Sequence, residues 1–156
     1  MDPGRRRDVS LVRLRCVRVF DDHVDFILES GSHTHAPGTA EQAVARLLEW
    51  LPGLRNHRCS TGGTRSFAEE MLTTEVAHLF EHVVLEVLVR VGSTDEVRGE
   101  TVWRKGEDAY LVSINDDDDV VCIAAARLAL RLIDSAFSER ATPDTTAEIA
   151  RIAALR

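Results

Sequence analysis

His78-Leu79-Phe80-Glu81-His82 places two imidazoles and a carboxylate within five residues, the combination in this chain best suited to chemistry. On a helix, His78 and His82 lie one turn apart on one face, a spacing at which both can reach a single metal ion. Glu81 projects beside them. The order H-x-x-E-H inverts the more common H-E-x-x-H. In such sites the histidines ligate zinc and the glutamate takes the proton of the attacking water. The same three residues also admit a plainer role, a hydrogen-bonded polar cluster without a metal.

The chemistry needs a rigid helix, and the surrounding sequence supplies one. Val76, Phe80, Val83, Val87 and Val91 recur at helical spacing and should face the core, while Leu85 and Val89 share the other side with the histidines. A helix apolar nearly all round is a buried one, where His and Glu are costly unless paired or metal-bound. Thr73 or Thr74 is the expected N-cap, with Glu75 in the first turn, and Gly92 is the expected stop.

Catalytic zinc usually takes three protein ligands. Cys59, a soft thiolate in a polar loop ahead of the helix, is the first choice for the third, and His57 the second. Glu86, one turn beyond His82, is better placed to hydrogen-bond a ligand than to complete the shell. His33 and His35 are a weaker source of a ligand, and Asp116 to Asp119 reads as a solvated acidic turn capping a helix.

The remaining pattern predicts the elements that hold this helix. Residues 9–20 read as a strand whose alternation slips between Arg15 and Arg18, which suggests a bulge; Asp21-Asp22 turns the chain into a second strand around Val24, Phe26 and Leu28. Thr39 opens a helix with Gln42 three residues on, a capping box. Its apolar face is Ala43, Val44, Leu47, Leu48 and Leu51, and Pro52-Gly53 ends it. A short helical piece near Ala68 to Met71 leads into the motif helix. Strands at 100–104 and 109–114, a long helix from about Val120 to Ser138 and a last short helix after Pro143 follow. This order, strand-strand-helix then helix-strand-strand-helix, predicts an α+β domain with a mainly antiparallel sheet from two hairpins and helices packed on it. We expect a disordered tail over 1–8, one domain over 9–140 and a short helix or tail over 141–156.

Composition narrows the function. A net charge of −7 and the lack of zinc-finger, basic-helix or RNP-like patterns argue against nucleic acid as a partner. No apolar run is long enough to span a membrane. Cys16, Cys59 and Cys122 are too few and too odd in number for a disulfide framework, so a cytoplasmic setting is expected, with Cys16 and Cys122 as core thiols. Gly62-Gly63 lacks the lysine and preceding strand of a phosphate loop, which argues against ATP-driven chemistry.

Two segments in fixed order carry a resemblance. Leu51-Pro52-Gly53-Leu54-Arg55-Asn56-His57-Arg58-Cys59-Ser60, then Gly62-Gly63 and Phe67, then His78-x-x-Glu81-His82-Val83-x-Leu85-Glu86, is similar to the N-terminal domain of cyanophycin synthetase. There, L-P-x-L-x-x-H-x-C-S precedes a helix reading H-x-x-E-H-V-A-L-E-L-Q. The resemblance spans about residues 38 to 135 and is sharp from 51 to 86. It implies a stand-alone counterpart of that domain, without the ATP-grasp and Mur-ligase-like domains that build the aspartate–arginine polymer. In some members this domain carries a zinc-dependent site that cuts the polymer. The resemblance then implies His78 and His82 as metal ligands, Glu81 as the catalytic glutamate, and His57, Cys59 and Glu86 as the remaining polar positions. The family's Leu-Glu-Leu-Gln reads Leu85-Glu86-Val87-Leu88 here, so the glutamine is lost, and in the altered segment after the helix only Arg98 can stand in for a substrate-holding arginine. The expected activity is a zinc-dependent hydrolase of peptide or isopeptide bonds, with about one zinc per chain, acting on a peptide-like or cyanophycin-like polymer. The rival is a non-catalytic binding or accessory module.

Overall fold

A computed structural model describes residues 10–30, 38–59, 65–93, 96–138 and 140–156. The expectations for the tail, for His33 and His35 and for Gly62-Gly63 fall outside these residues. Two hairpins, β1 (Val12–Val19) with β2 (Val24–Ser30) and β3 (Gly99–Arg104) with β4 (Ala109–Ile114), join through an antiparallel β2–β4 pairing. The result is one four-stranded antiparallel sheet in the order β1-β2-β4-β3. The helices are α1 (Thr39–Trp50), α2 (Phe67–Glu70), α3 (Val76–Arg90), α4 (Asp119–Phe137) and α5 (Thr145–Ala153), with a 3-10 turn over Pro52–Asn56. The chain is an α+β fold, as the two hairpins and intervening helices imply.

The core lies between one face of the sheet and the helices. Val24, Phe26 and Leu28 of β2 and Val112 and Ile114 of β4 alternate into it and meet Phe80, Val83, Val84 and Val87 of α3 and Leu128, Ala129 and Leu132 of α4. The ring of Phe26 meets that of Phe80 edge-on at 5.7 Å. The slip in β1 is real: its register against β2 shifts between Leu14 and Cys16, leaving Arg15 as the extra residue, whose guanidinium pairs with Glu29.

Several local expectations are corrected. α1 starts from Gly38 in a left-handed conformation (φ 84°) with no side-chain cap, so Thr39 lies inside the helix. α3 has Glu75, not Thr73 or Thr74, as its N-cap residue and no side-chain cap, and the Thr74 hydroxyl meets the His78 ring instead. Cys122 is fully buried, but Cys16 is only half-buried, since the bulge puts it opposite Ile27 on the sheet face away from the core cluster. Asp116 is not solvated: its carboxylate accepts from Ser93 Oγ at 3.0 Å and from the Asp118 amide, while Asp118 caps α4. Among the described residues, no helix is long and apolar enough to cross a membrane.

Candidate metal centre

Three donor atoms converge where the 3-10 turn meets α3. His78 Nε2 and His82 Nε2 are 3.1 Å apart, and Cys59 Sγ lies 3.4 Å from the first and 3.5 Å from the second. Typical zinc–nitrogen and zinc–sulfur bond lengths give a tetrahedral site edges of about 3.3 Å (N···N) and about 3.6 Å (N···S). The triangle therefore already has nearly the size of one tetrahedral face. Two imidazoles and a thiol also suit zinc chemically.

Helix periodicity aligns the histidines, but other elements fix their rings. For both Nε2 atoms to offer lone pairs, each Nδ1 must carry the proton, and each has an acceptor. His78 Nδ1–H donates to Thr74 Oγ1 at 2.7 Å, and His82 Nδ1–H donates to His57 Nδ1 at 3.0 Å. His57 then donates from Nε2–H to Glu86 Oε2 at 2.9 Å. Glu86 thus acts on a donor through His57, and this outer layer fixes tautomer and orientation. Gly53 makes room for it, because a Cβ there would collide with the Glu86 carboxylate. Phe67 forms the other wall. Its ring stacks on His82 at 3.7 Å with planes 15° apart and meets His78 edge-on, and its amide donates to the His57 carbonyl.

The electrostatics suit a cation. Burial, followed by the neighbouring His78 and His57, pushes the His82 pKa down to about 3, so its imidazole is neutral across the ordinary pH range. Burial and then Glu70 push the Cys59 thiol up to about 12; in the absence of metal it donates to Glu70 Oε2 at 3.1 Å. Binding a cation there requires loss of that proton.

Glu81 stands apart from the donor triangle. It is 6% exposed, and burial pushes its carboxyl above the usual carboxylate range against the opposing pull of a 2.5 Å hydrogen bond from Thr101 Oγ1. A Cβ at Gly99 would sit 2.6 Å from Glu81 Cγ, so the start of β3 presses against this side chain. A cleft of about 1370 Å³ is lined by Cys59, His78, Glu81 and His82 on one side and by Thr101, Trp103 and Tyr110 on the other. Arg98 also lines it and is exposed, while its backbone amide is bound by the Asn115 side chain.

The structure thus groups Cys59, His78 and His82, places His57 and Glu86 behind His82, and sets Glu81 and Arg98 on the cleft. Thr74, Glu70, Thr101 and Gly99 take part in the site without any site role expected of them from the sequence, while Gly53 and Phe67 stand in the segment that carries the resemblance. The signal for Thr74 is a hydroxyl four residues before His78, which reads equally well as a helix cap. No curated protein matches the chain significantly. The family model described as cyanophycin synthase-like N-terminal domain matches residues 24–138, most of the chain, and the chain belongs to that family.

Proposed function

We propose that this protein is a zinc-dependent hydrolase of peptide or isopeptide bonds, with a cyanophycin-like aspartate–arginine polymer as its substrate class. The observation that carries the reading is the Cys59–His78–His82 triangle, with edges close to those of a tetrahedral zinc face, opening on a cleft that also holds Glu81. Cys59, His78 and His82 would hold the ion; zinc, when bound there, supplies a Lewis acid that polarises the scissile carbonyl. The chain's own residues do the rest. Glu81, oriented by Thr101, accepts a proton from the attacking water and delivers it to the departing amine. Its raised pKa brings it nearer neutrality, where one group can serve as both base and acid. Thr74 and the His57–Glu86 pair keep the imidazoles in the ligating tautomer.

Metal analysis of untagged protein beside a His78→Ala/His82→Ala variant, together with turnover of arginine-rich peptides by Glu81→Gln, tests the reading. The expected result is about one zinc per wild-type chain, lost in the double variant. Glu81→Gln should keep its zinc and lose turnover by at least about 10²-fold. Zinc without any cleavage would instead support a binding module, and no zinc in either protein would leave a polar cluster.

A further inference from the structure

The cleft has a second wall that the metal centre does not explain. β3 is an edge strand: among the described residues it pairs with β4 and no other strand. The phase of its backbone follows from one bond, in which the Asn115 amide donates to the Arg98 carbonyl at 3.1 Å. Hydrogen-bonded pairs alternate along an antiparallel ladder. Arg98 with Asn115, Glu100 with Ser113 and Val102 with Leu111 therefore face β4, in a register without shifts from Gly99 to Arg104. Gly99, Thr101 and Trp103 turn their N–H and C=O groups to the free edge. These same three residues line the cleft shared with His78 and Glu81, and Thr101 and Gly99 are the two that touch Glu81.

An edge strand is a template for another backbone, and proteins commonly blunt it with proline, bulges or inward-pointing charge. Neither proline nor a bulge interrupts Gly99 to Trp103, the one charge there, Glu100, is exposed and not turned inward, and Val102 and Trp103 are left 44% and 45% exposed. We infer that the free edge of β3 receives the substrate as an added strand, so that the substrate class is an extended peptide read through its main chain. This rests on the hydrolase reading for the cutting step and on the sheet geometry alone for binding. A strand docked there runs about 4.8 Å from β3, beside the residues that hold the general base. Each of Gly99, Thr101 and Trp103 offers it one donor and one acceptor. A bond between two side chains, with no extended backbone around it, is excluded from this mode of binding.

The probe is a capped ten-residue peptide of alternating aspartate and arginine, titrated into zinc-loaded Glu81→Gln protein while amide hydrogen exchange is followed by NMR. The amides of Gly99, Thr101 and Trp103 should become protected, whereas those of Glu100 and Val102, already bonded to β4, should change little. Trp103→Pro removes one outward N–H without touching the β4 ladder, and Trp103→Ala controls for the lost ring. The proline variant should bind about three- to tenfold more weakly than the alanine variant, the effect of one net hydrogen bond. Binding without protection at these amides overturns the proposal, as does failure to bind at millimolar peptide or equal affinity in the two variants. Protection without any cleavage by the wild type keeps the edge and overturns the hydrolase instead. Cleavage without protection does the reverse.

Discussion

Adding one methyl group at Gly99 tests whether the placement of Glu81 matters. Gly99 has no unusual backbone angle that alanine would strain, so the perturbation is the Cβ itself. That atom would lie 2.6 Å from Glu81 Cγ and 2.9 Å from its Cδ and Oε1. Carbon atoms in contact sit about 3.5–4.0 Å apart, so Glu81 and the start of β3 must separate by roughly 1 Å. If Glu81 is the general base proposed above, a displacement of that size lowers the rate by about 10²-fold. It also stretches the 2.5 Å bond from Thr101. Overpacking costs about 1–3 kcal/mol, and the backbone preference for alanine over glycine returns about 0.5–1 kcal/mol. Net destabilisation of at most about 2.5 kcal/mol follows, a fall in Tm of up to about 10 °C for a domain of this size. The three atoms nearest the added Cβ all belong to Glu81 and none to Cys59, His78 or His82, so zinc content should stay at the wild-type level. The assay is single-turnover peptide cleavage beside metal analysis and a thermal melt. Gly99→Ala with full turnover and unchanged Tm would refute the reasoning, because Glu81 would then tolerate displacement without consequence.

Other perturbations separate the parts of the site. Thr101→Val should lower kcat at least about tenfold while Thr101→Ser retains most of it, since only the hydroxyl orients Glu81, a charge-assisted bond of about 1.5–3 kcal/mol; equal loss in both, by steady-state kinetics, would reject that role. His57→Phe should weaken zinc affinity about 10–100-fold in a competition titration with a chromophoric chelator, because His82 Nδ1–H and Glu86 both lose their partner. For metal-free protein, the His82 pKa is depressed on folding, so its stabilising contribution is complete above about 6.5 and declines as pH falls toward about 3. Urea melts between these limits should show a slope of up to about 1.4 kcal/mol per pH unit from this group. The buried Glu81 acts in the opposite sense, its contribution declining as pH rises above the ordinary carboxylate range. Zinc affinity itself should rise about tenfold per pH unit from pH 6 to 8, because the Cys59 thiol, held up to about 12, must release its proton; a pH-independent affinity would remove Cys59 from the donor set.

What the sequence determined was local. The 3.6-residue period alone puts His78 and His82 on one face, and period-two alternation alone marks Val24, Phe26 and Leu28 as one side of a strand. Gly92 ends the motif helix in the left-handed conformation only glycine adopts freely, as its position suggested. Even the slip of phase near Arg15 was legible as a bulge. The tertiary structure decided everything that depends on residues far apart in the chain. Cys59 joins the two Nε2 atoms while His57 sits behind His82 at its Nδ1, because the 3-10 turn over Pro52–Asn56 and the contact of Phe67 with His57 set the direction of that loop. Thr74 could cap α3 or bond His78, and only the position of the ring shows which. Gly99 and Thr101 reach Glu81 because β3 lies at the sheet edge under α3, a consequence of the β1-β2-β4-β3 order. Strand order and register arise from pairing across long loops, and their energies are summed over the whole sheet, so no window of sequence contains them.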